Sequence, residues 1–306
     1  VRCWGRNRHG ELGAGDRHDD SGALRRVVGL SKVREVAAGL WHRCALKADA
    51  TVWCWGANDV GQVGNGKPAA AYVAPTPAGV TPVFVDPVDV AFETTPVQVA
   101  GVVDAVDIVA SDHGACAAQK DGRVVCWGTN ARGHAGAAAF AGGAGDVVVL
   151  PRPVTGLHNV DSLTASARST CARSMAGDVR CWGFNRDAAL GNGKSWTAYG
   201  PYASAQTIAY ESHPTPVAEL DKTARLWSGA GFTCARSNLT DVRCWGANSH
   251  NTLLNAKGAA DYPTNLALEA TPVGVHALKD VEEIAPGLQH GCALSQGAVK
   301  CWGTQQ

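Results

Sequence analysis

The residues with the most chemical potential are the eleven cysteines, ten of which form a series. Cys44 and Cys54, Cys116 and Cys126, Cys171 and Cys181, and Cys234 and Cys244 are ten residues apart; Cys292 and Cys301 are nine apart. Thiols so spaced can oxidise to disulfides, ligate a metal, or serve as small buried hydrophobes. Structural zinc draws on Cys-Xaa2-Cys pairs or histidines at ligand spacing, and neither accompanies these pairs. A turn of Asp, Gly or Asn type lies midway in each pair, which puts both cysteines at facing positions on adjacent antiparallel strands. Cα atoms there stand about 4.5–5.5 Å apart, within disulfide reach. The reading is five disulfides, with buried free thiols as the alternative. Bridges in that number imply an oxidising compartment, so the expected location is extracytoplasmic: secreted, periplasmic or cell surface. Cys3 is expected to be unpaired, its mate belonging to a strand upstream of Val1.

Other chemistry is sparse. Gly193-Lys194-Ser195 looks like the end of a phosphate-binding loop, but the glycine required five positions earlier is Ala188, so Lys194 is read as a turn lysine. No nucleophile elbow, His-Glu-Xaa2-His or dinucleotide fingerprint occurs. Asp16, Asp19 and Asp20 are read as a solvated acidic turn rather than a cation site. His42 and His290 each stand two residues before a cysteine and are assigned a structural hydrogen-bonding role. Asn238-Leu239-Thr240 is a glycosylation sequon only if the source glycosylates. No catalytic residue, cofactor or metal is expected. The 27 basic and 27 acidic side chains cancel, which leaves no electrostatic footprint for nucleic acid or an anionic membrane. No apolar run approaches the length of a membrane span.

The elements that position the cysteines follow from a repeat. Cys-Trp-Gly occurs six times, beginning at Cys3, Cys54, Cys126, Cys181, Cys244 and Cys301. Between copies lie short apolar runs broken by turn formers, too short and too interrupted for helices. A Pro-Val lead-in, as at Pro96-Val97, Pro153-Val154, Pro216-Val217 and Pro272-Val273, suits an outer strand. Four antiparallel strands per unit, repeated radially, predict an all-β chain. The expected fold is a β-propeller of six or seven blades, the first incomplete, forming a single domain over residues 1–306. Approximate units are 1–26, 27–95, 96–151, 152–213, 214–270 and 271–306. Trp4, Trp55, Trp127, Trp182, Trp245 and Trp302 keep a fixed place in the repeat and are expected to pack between blades.

GANDVGQVG from Gly56, GRNRHGELG from Gly5 and the Ala-Ala-Gly-Xaa2-His of Ala37 to His42 resemble the regulator of chromosome condensation repeat family. The resemblance implies a propeller of about seven blades with loops on two faces. The chain resembles the secreted, disulfide-bearing bacterial members of that family.

Insertions of unequal length leave from equivalent places: Lys67 to Thr94, Ala137 to Leu150, Lys194 to Ser212 and Ala256 to Glu269. Loops on a rigid scaffold are the usual seat of binding. The third carries Trp196, Tyr199, Tyr202 and Tyr210, aromatic anchors that make it the candidate binding loop. The function expected is non-enzymatic binding of a protein or surface glycan partner. Two alternatives stand beside it. One is a secreted inhibitor of the β-lactamase-inhibitor kind; the other is guanine-nucleotide exchange on a small GTPase, the activity the family resemblance implies.

Overall fold

The computed structural model describes residues 1–18, 22–67, 91–136, 147–185, 187–194, 210–220, 222–237, 241–248, 251–255 and 268–303. Among these the chain is all-β, with 21 strands in six antiparallel sheets. It divides into two compact units, Val1–Thr155 and Gly156–Gln306.

The first unit opens with a two-stranded sheet, β1 (Arg2–Cys3) and β2 (Arg25–Arg26). Two complete sheets follow. One is β3 (Val33–Ala38), β4 (His42–Lys47), β5 (Val52–Ala57) and β6 (Phe92–Gln98); the other is β7 (Ala105–Ala110), β8 (Gly114–Gln119), β9 (Val124–Thr129) and β10 (Val147–Pro153). The second unit holds β11 (Val160–Ala165) to β14 (Tyr210–Pro216), β15 (Thr223–Ser228) to β18 (Leu268–Gly274), and a three-stranded sheet of β19 (Val281–Pro286), β20 (His290–Ser295) and β21 (Ala298–Gly303). Strands within each sheet are joined in sequence order, as the turn-punctuated runs require. Each Pro-Val strand hydrogen-bonds to the third strand of the repeat before it, so the sequence repeat and the sheet are out of phase by one strand.

The cysteine series sets the register. Every one of the five pairs faces its partner directly across strands two and three, with Cα atoms 4.1 Å apart, and every one is a disulfide. Cys3 is free and half-buried, and burial pushes its thiol up in pKa. Each bridge closes a loop of about ten residues and contributes about 2–3 kcal/mol on the chain-entropy model.

The glycine of Cys-Trp-Gly is required by backbone approach. Gly56 has φ of +103°, and a Cβ there would stand 2.4 Å from the Trp41 carbonyl oxygen; Gly128 and Gly246 meet His113 and Gly231 in the same way. A side chain at this place would both strain the backbone and push strand two off strand three. The tryptophan between them carries the packing: Trp55, Trp127, Trp182 and Trp245 are fully buried. Around Trp55 the core is Val27, Leu30 and Ala45; around Trp245 it is Leu190, Val217 and Leu226.

Trp4 departs from the expected packing, being 70% exposed. Trp55, Trp127, Trp245 and Trp302 each donate their indole N–H to a carbonyl in the loop after the preceding Cys-Trp-Gly: Glu11, Gln62, Ala189 and Thr252, at 2.8–2.9 Å.

Candidate binding face

In a four-stranded antiparallel sheet, strands one and three run in the same direction. The turn from one to two and the connection from three to four therefore emerge at the same end. That end carries the insertions, and a repeated polar device roots them.

The device starts from the asparagine two residues after the glycine of the first five Cys-Trp-Gly copies. Asn7, Asn58, Asn130, Asn185 and Asn248 are all buried. Their side-chain oxygens accept the backbone N–H five residues on: Leu12, Val63, Ala135, Leu190 and Leu253, at 2.9–3.1 Å. This bond folds Gly-Xaa-Asn-Xaa2-Gly-Gln-Xaa-Gly into a closed loop whose carbonyl then meets the next tryptophan. In three sheets the asparagine amide also donates to a second asparagine: Asn58 to Asn65, Asn185 to Asn192 and Asn248 to Asn255. The second asparagine donates in turn to a glutamate on the outer strand: Asn65 to Glu93, Asn192 to Glu211 and Asn255 to Glu269. Lys67 pairs with Glu93, and Lys194 with Glu211 at 2.7 Å.

These residues bracket the insertions, so each clamp ties the start of a loop to its end across 14 to 28 residues of chain. The stems also reach the neighbouring sheet within each unit, where Gly66 N–H donates to the Val149 carbonyl and Gly193 N–H to that of Ala270. Where Asn130 would find its second asparagine the sequence has Ala137, and where the glutamate would stand it has Val148. The two residues of the clamp are lost together. Lys194 is thus the turn lysine expected, and its partner is Glu211.

Of the predicted binding loop, Trp196, Tyr199 and Tyr202 lie outside the described residues, as do Asp19, Asp20 and the sequon at 238–240. Tyr210 opens β14 opposite Phe184 and is exposed. Arg168, from the turn that follows β11, lies 5.7 Å over the Phe184 ring. Asp16 lies in the loop between β1 and β2, where it accepts from the Asn7 amide and pairs with Arg25. The Arg25 bond holds its carboxyl below the usual range.

In the first unit the same end carries a cluster that motif reasoning passed over. Trp41 lies between two imidazoles, with ring centroids 5.4 Å from His9 and 5.7 Å from His113. Glu11 fixes His9 by accepting its backbone N–H at 2.7 Å and standing 3.3 Å from its Nδ1. Burial pushes the Glu11 carboxyl up, but these His9 bonds outweigh it and hold it low. Both imidazoles flank the indole, so Trp41 acts as a wedge between loops rather than a free stacking platform.

His42 corrects an expectation. It is fully buried, with neither ring nitrogen in a hydrogen bond of ordinary geometry. Burial, with the Arg43 and His113 charges, drives its pKa down to about 3, against a small opposing effect of the Gly114 backbone. Its ring fills the space that a Cβ on Gly39 would occupy, 2.3 Å from His42 Cε1. His290 lies in the same way against Gly287 but is exposed. In the Gly-Xaa2-His element the ring therefore packs on the glycine, while the backbone closes the turn: Gly39 N–H donates to the His42 carbonyl at 3.0 Å and Gly287 N–H to that of His290 at 2.7 Å.

The repeat profile described as "Regulator of chromosome condensation (RCC1) repeat" matches residues 33–62, which span β3 to β5 and the asparagine loop. The chain carries at least one repeat of the regulator of chromosome condensation family. Among curated relatives, the mitochondrial RCC1 domain-containing protein RUG3 of Arabidopsis thaliana is 25% identical over 98% of this chain and 64% of its own length. The probable human E3 ubiquitin-protein ligase HERC6 is 34% identical over 24% of this chain. The chain spans 8% of HERC6 and 4% of human HERC2. Among solved structures, human WBSCR16 superposes with a TM-score of 0.71 at 18% identity, covering 96% of this chain and 66% of that one. Prp20p of Saccharomyces cerevisiae gives 0.60 at 17%, covering 99% and 80%. At such identities the family likeness carries the β-propeller fold.

Proposed function

We propose that this chain is a non-enzymatic, extracytoplasmic binding scaffold that engages a protein or surface glycan through the insertions at the loop end of its sheets. The observation that carries this reading is the clamp Asn58–Asn65–Glu93, repeated as Asn185–Asn192–Glu211 and Asn248–Asn255–Glu269. Three unequal insertions begin and end on one fixed geometry, which is how a fold presents variable loops on an invariant frame. Five disulfides support an oxidising compartment, and the aromatic insertion at Trp196, Tyr199, Tyr202 and Tyr210 supplies anchors of the type binding surfaces favour.

Screening the purified protein against immobilised glycans and a displayed cell-surface proteome tests the reading. A ligand whose affinity drops at least tenfold in the triple variant Trp196→Ala, Tyr199→Ala, Tyr202→Ala, with unfolding unchanged, supports it. A ligand bound equally by the variant contradicts the assignment of the loop.

A second reading, nucleotide exchange on a small GTPase, rests on Prp20p, whose structure is described with its binding properties to Gsp1p and histones. Nucleotide release from a purified small GTPase, unchanged by stoichiometric protein, removes it.

A further inference from the structure

Both Asn-Gly steps in the chain, Asn65-Gly66 and Asn192-Gly193, stand in a clamp. Asparagine is a thermolabile residue, and a following glycine leaves its side chain open to attack by the backbone nitrogen because no Cβ stands in the way. The fold asks for the two residues separately. The glycine takes φ of +75° at Gly66 and +80° at Gly193, while the asparagine serves the glutamate of the outer strand. The same stem contact is made at Ala14-Gly15, where no side-chain amide precedes the glycine and Gly15 N–H donates to the Thr94 carbonyl at 3.0 Å. The third clamp has Asn255-Ala256 in place of Asn-Gly.

The reacting groups are in place but tethered. Asn65 Oδ1 accepts from the Asn58 amide at 3.3 Å and from Lys67 N–H at 3.1 Å. Asn192 Oδ1 accepts from the Asn185 amide at 3.3 Å and from Lys194 N–H at 3.1 Å. Two donors on one carbonyl oxygen polarise its carbon and stabilise negative charge arriving on the oxygen. Two restraints oppose this. The amide nitrogen Nδ2 is fastened to Glu93 at 2.9 Å in one clamp and to Glu211 at 3.4 Å in the other. The attacking nitrogen is itself a donor, Gly66 to the Val149 carbonyl at 3.0 Å and Gly193 to the Ala270 carbonyl at 2.9 Å. It reacts only after giving up that bond, which means that the stem must first lift from the neighbouring sheet.

We propose that Asn65 and Asn192 are self-modifying sites, at which the lifting of a stem is made irreversible by loss of the side-chain amide. The freed glycine nitrogen yields its proton to hydroxide and bonds to asparagine Cγ. The Cγ–Nδ2 bond breaks, and the nitrogen leaves as ammonia with a proton taken from water. One water then opens the imide ring at either carbonyl, leaving aspartate or an isoaspartyl link. Either product sets a carboxylate where an amide had donated to Glu93 or Glu211. Like charges at that distance repel, so the clamp does not close again.

Incubation of the folded protein at pH 8, followed by peptide mapping with isoaspartate read by enzymatic methylation, tests this. Conversion is expected at Asn65 and Asn192 well ahead of Asn255. Glu93→Ala removes one restraint and should speed conversion at Asn65 roughly tenfold, the worth of a hydrogen bond to a charged group in the opening equilibrium, while leaving Asn192 at its own rate. Glu211→Ala should do the reverse. Hydrogen exchange at the Gly66 amide should quicken in step with conversion of Asn65. If a glutamate variant does not fold, Ala256→Gly supplies the glycine that the third clamp lacks, and Asn255 should then convert alongside the other two. Conversion spread evenly over the asparagines, a rate at Asn65 or Asn192 unmoved or slowed by its own glutamate variant, or an inert Asn255 in Ala256→Gly overturns the proposal.

Discussion

The indole N–H of Trp127 donates to the carbonyl oxygen of Gln62 at 2.8 Å, a bond that joins one sheet to the loop of the sheet before it. It is the link by which a repeat that cannot close its own core acquires one from its neighbour. Replacing Trp127 with Phe keeps most of the apolar volume but leaves the buried Gln62 carbonyl without this donor, and should cost about 1–3 kcal/mol. Trp127→Ala adds a cavity and should cost roughly 3–5 kcal/mol. Chemical denaturation of the two variants distinguishes the bond from the packing; equal losses would assign everything to packing.

Asn58 makes the loop that the indole meets. Its oxygen accepts from Val63 N–H at 3.1 Å while its amide holds Asn65. Asn58→Ala strands the buried Val63 N–H and should cost about 1–3 kcal/mol. Asn58→Asp keeps the acceptor but brings a buried charge toward Glu93 through Asn65, and should be no better than alanine. An Asn58→Ala variant as stable as wild type contradicts the role given to the loop.

The native protein should present one thiol to a denaturing alkylation assay, Cys3, and eleven after reduction. Non-reducing peptide mapping should return each bridge within one hairpin. Losing one, as in Cys116→Ala with Cys126→Ala, should cost about 2–3 kcal/mol. A bridge between different sheets would contradict the register.

How much was legible in the sequence follows from how local each signal is. Cys171 and Cys181 face each other because a turn lies between them, and ten residues of spacing carry that information. The burial of Trp182 follows from the same repeat, whereas Trp4, at the same place in the repeat, is exposed. The clamp was readable in principle: Asn65-Gly66-Lys67 recurs as Asn192-Gly193-Lys194 and Asn255-Ala256-Lys257. It was hidden because its glutamates lie beyond insertions of different length, so no fixed spacing links Asn65 to Glu93. The unsatisfied ring of His42 was equally unreadable, since its burial is set by Gly39 beneath it and Gly114 beside it.

His42 should shape the acid limb of stability. Its folded pKa of about 3 lies below the unfolded value of 6.5. The folded state thus refuses a proton that the unfolded chain accepts, and the contribution present above pH 6.5 is lost as pH falls toward 3. The loss amounts to a few kcal/mol at the limit. His42→Gln, which does not titrate, should flatten that limb in thermal melts between pH 6.5 and 4. An unchanged limb would place the acid sensitivity elsewhere.

The central claim is that the sheets are a fixed frame and the insertions carry binding. Replacing residues 68–90 and 195–209 with short Gly-Ser links, while keeping Lys67, Glu93, Lys194 and Glu211, measures both halves at once in a paired unfolding and ligand titration. The account predicts an unfolding free energy within about 1 kcal/mol of wild type, since the loop-closure term changes slowly with length, together with loss of ligand binding. Retained binding, or collapse of the fold, would contradict it.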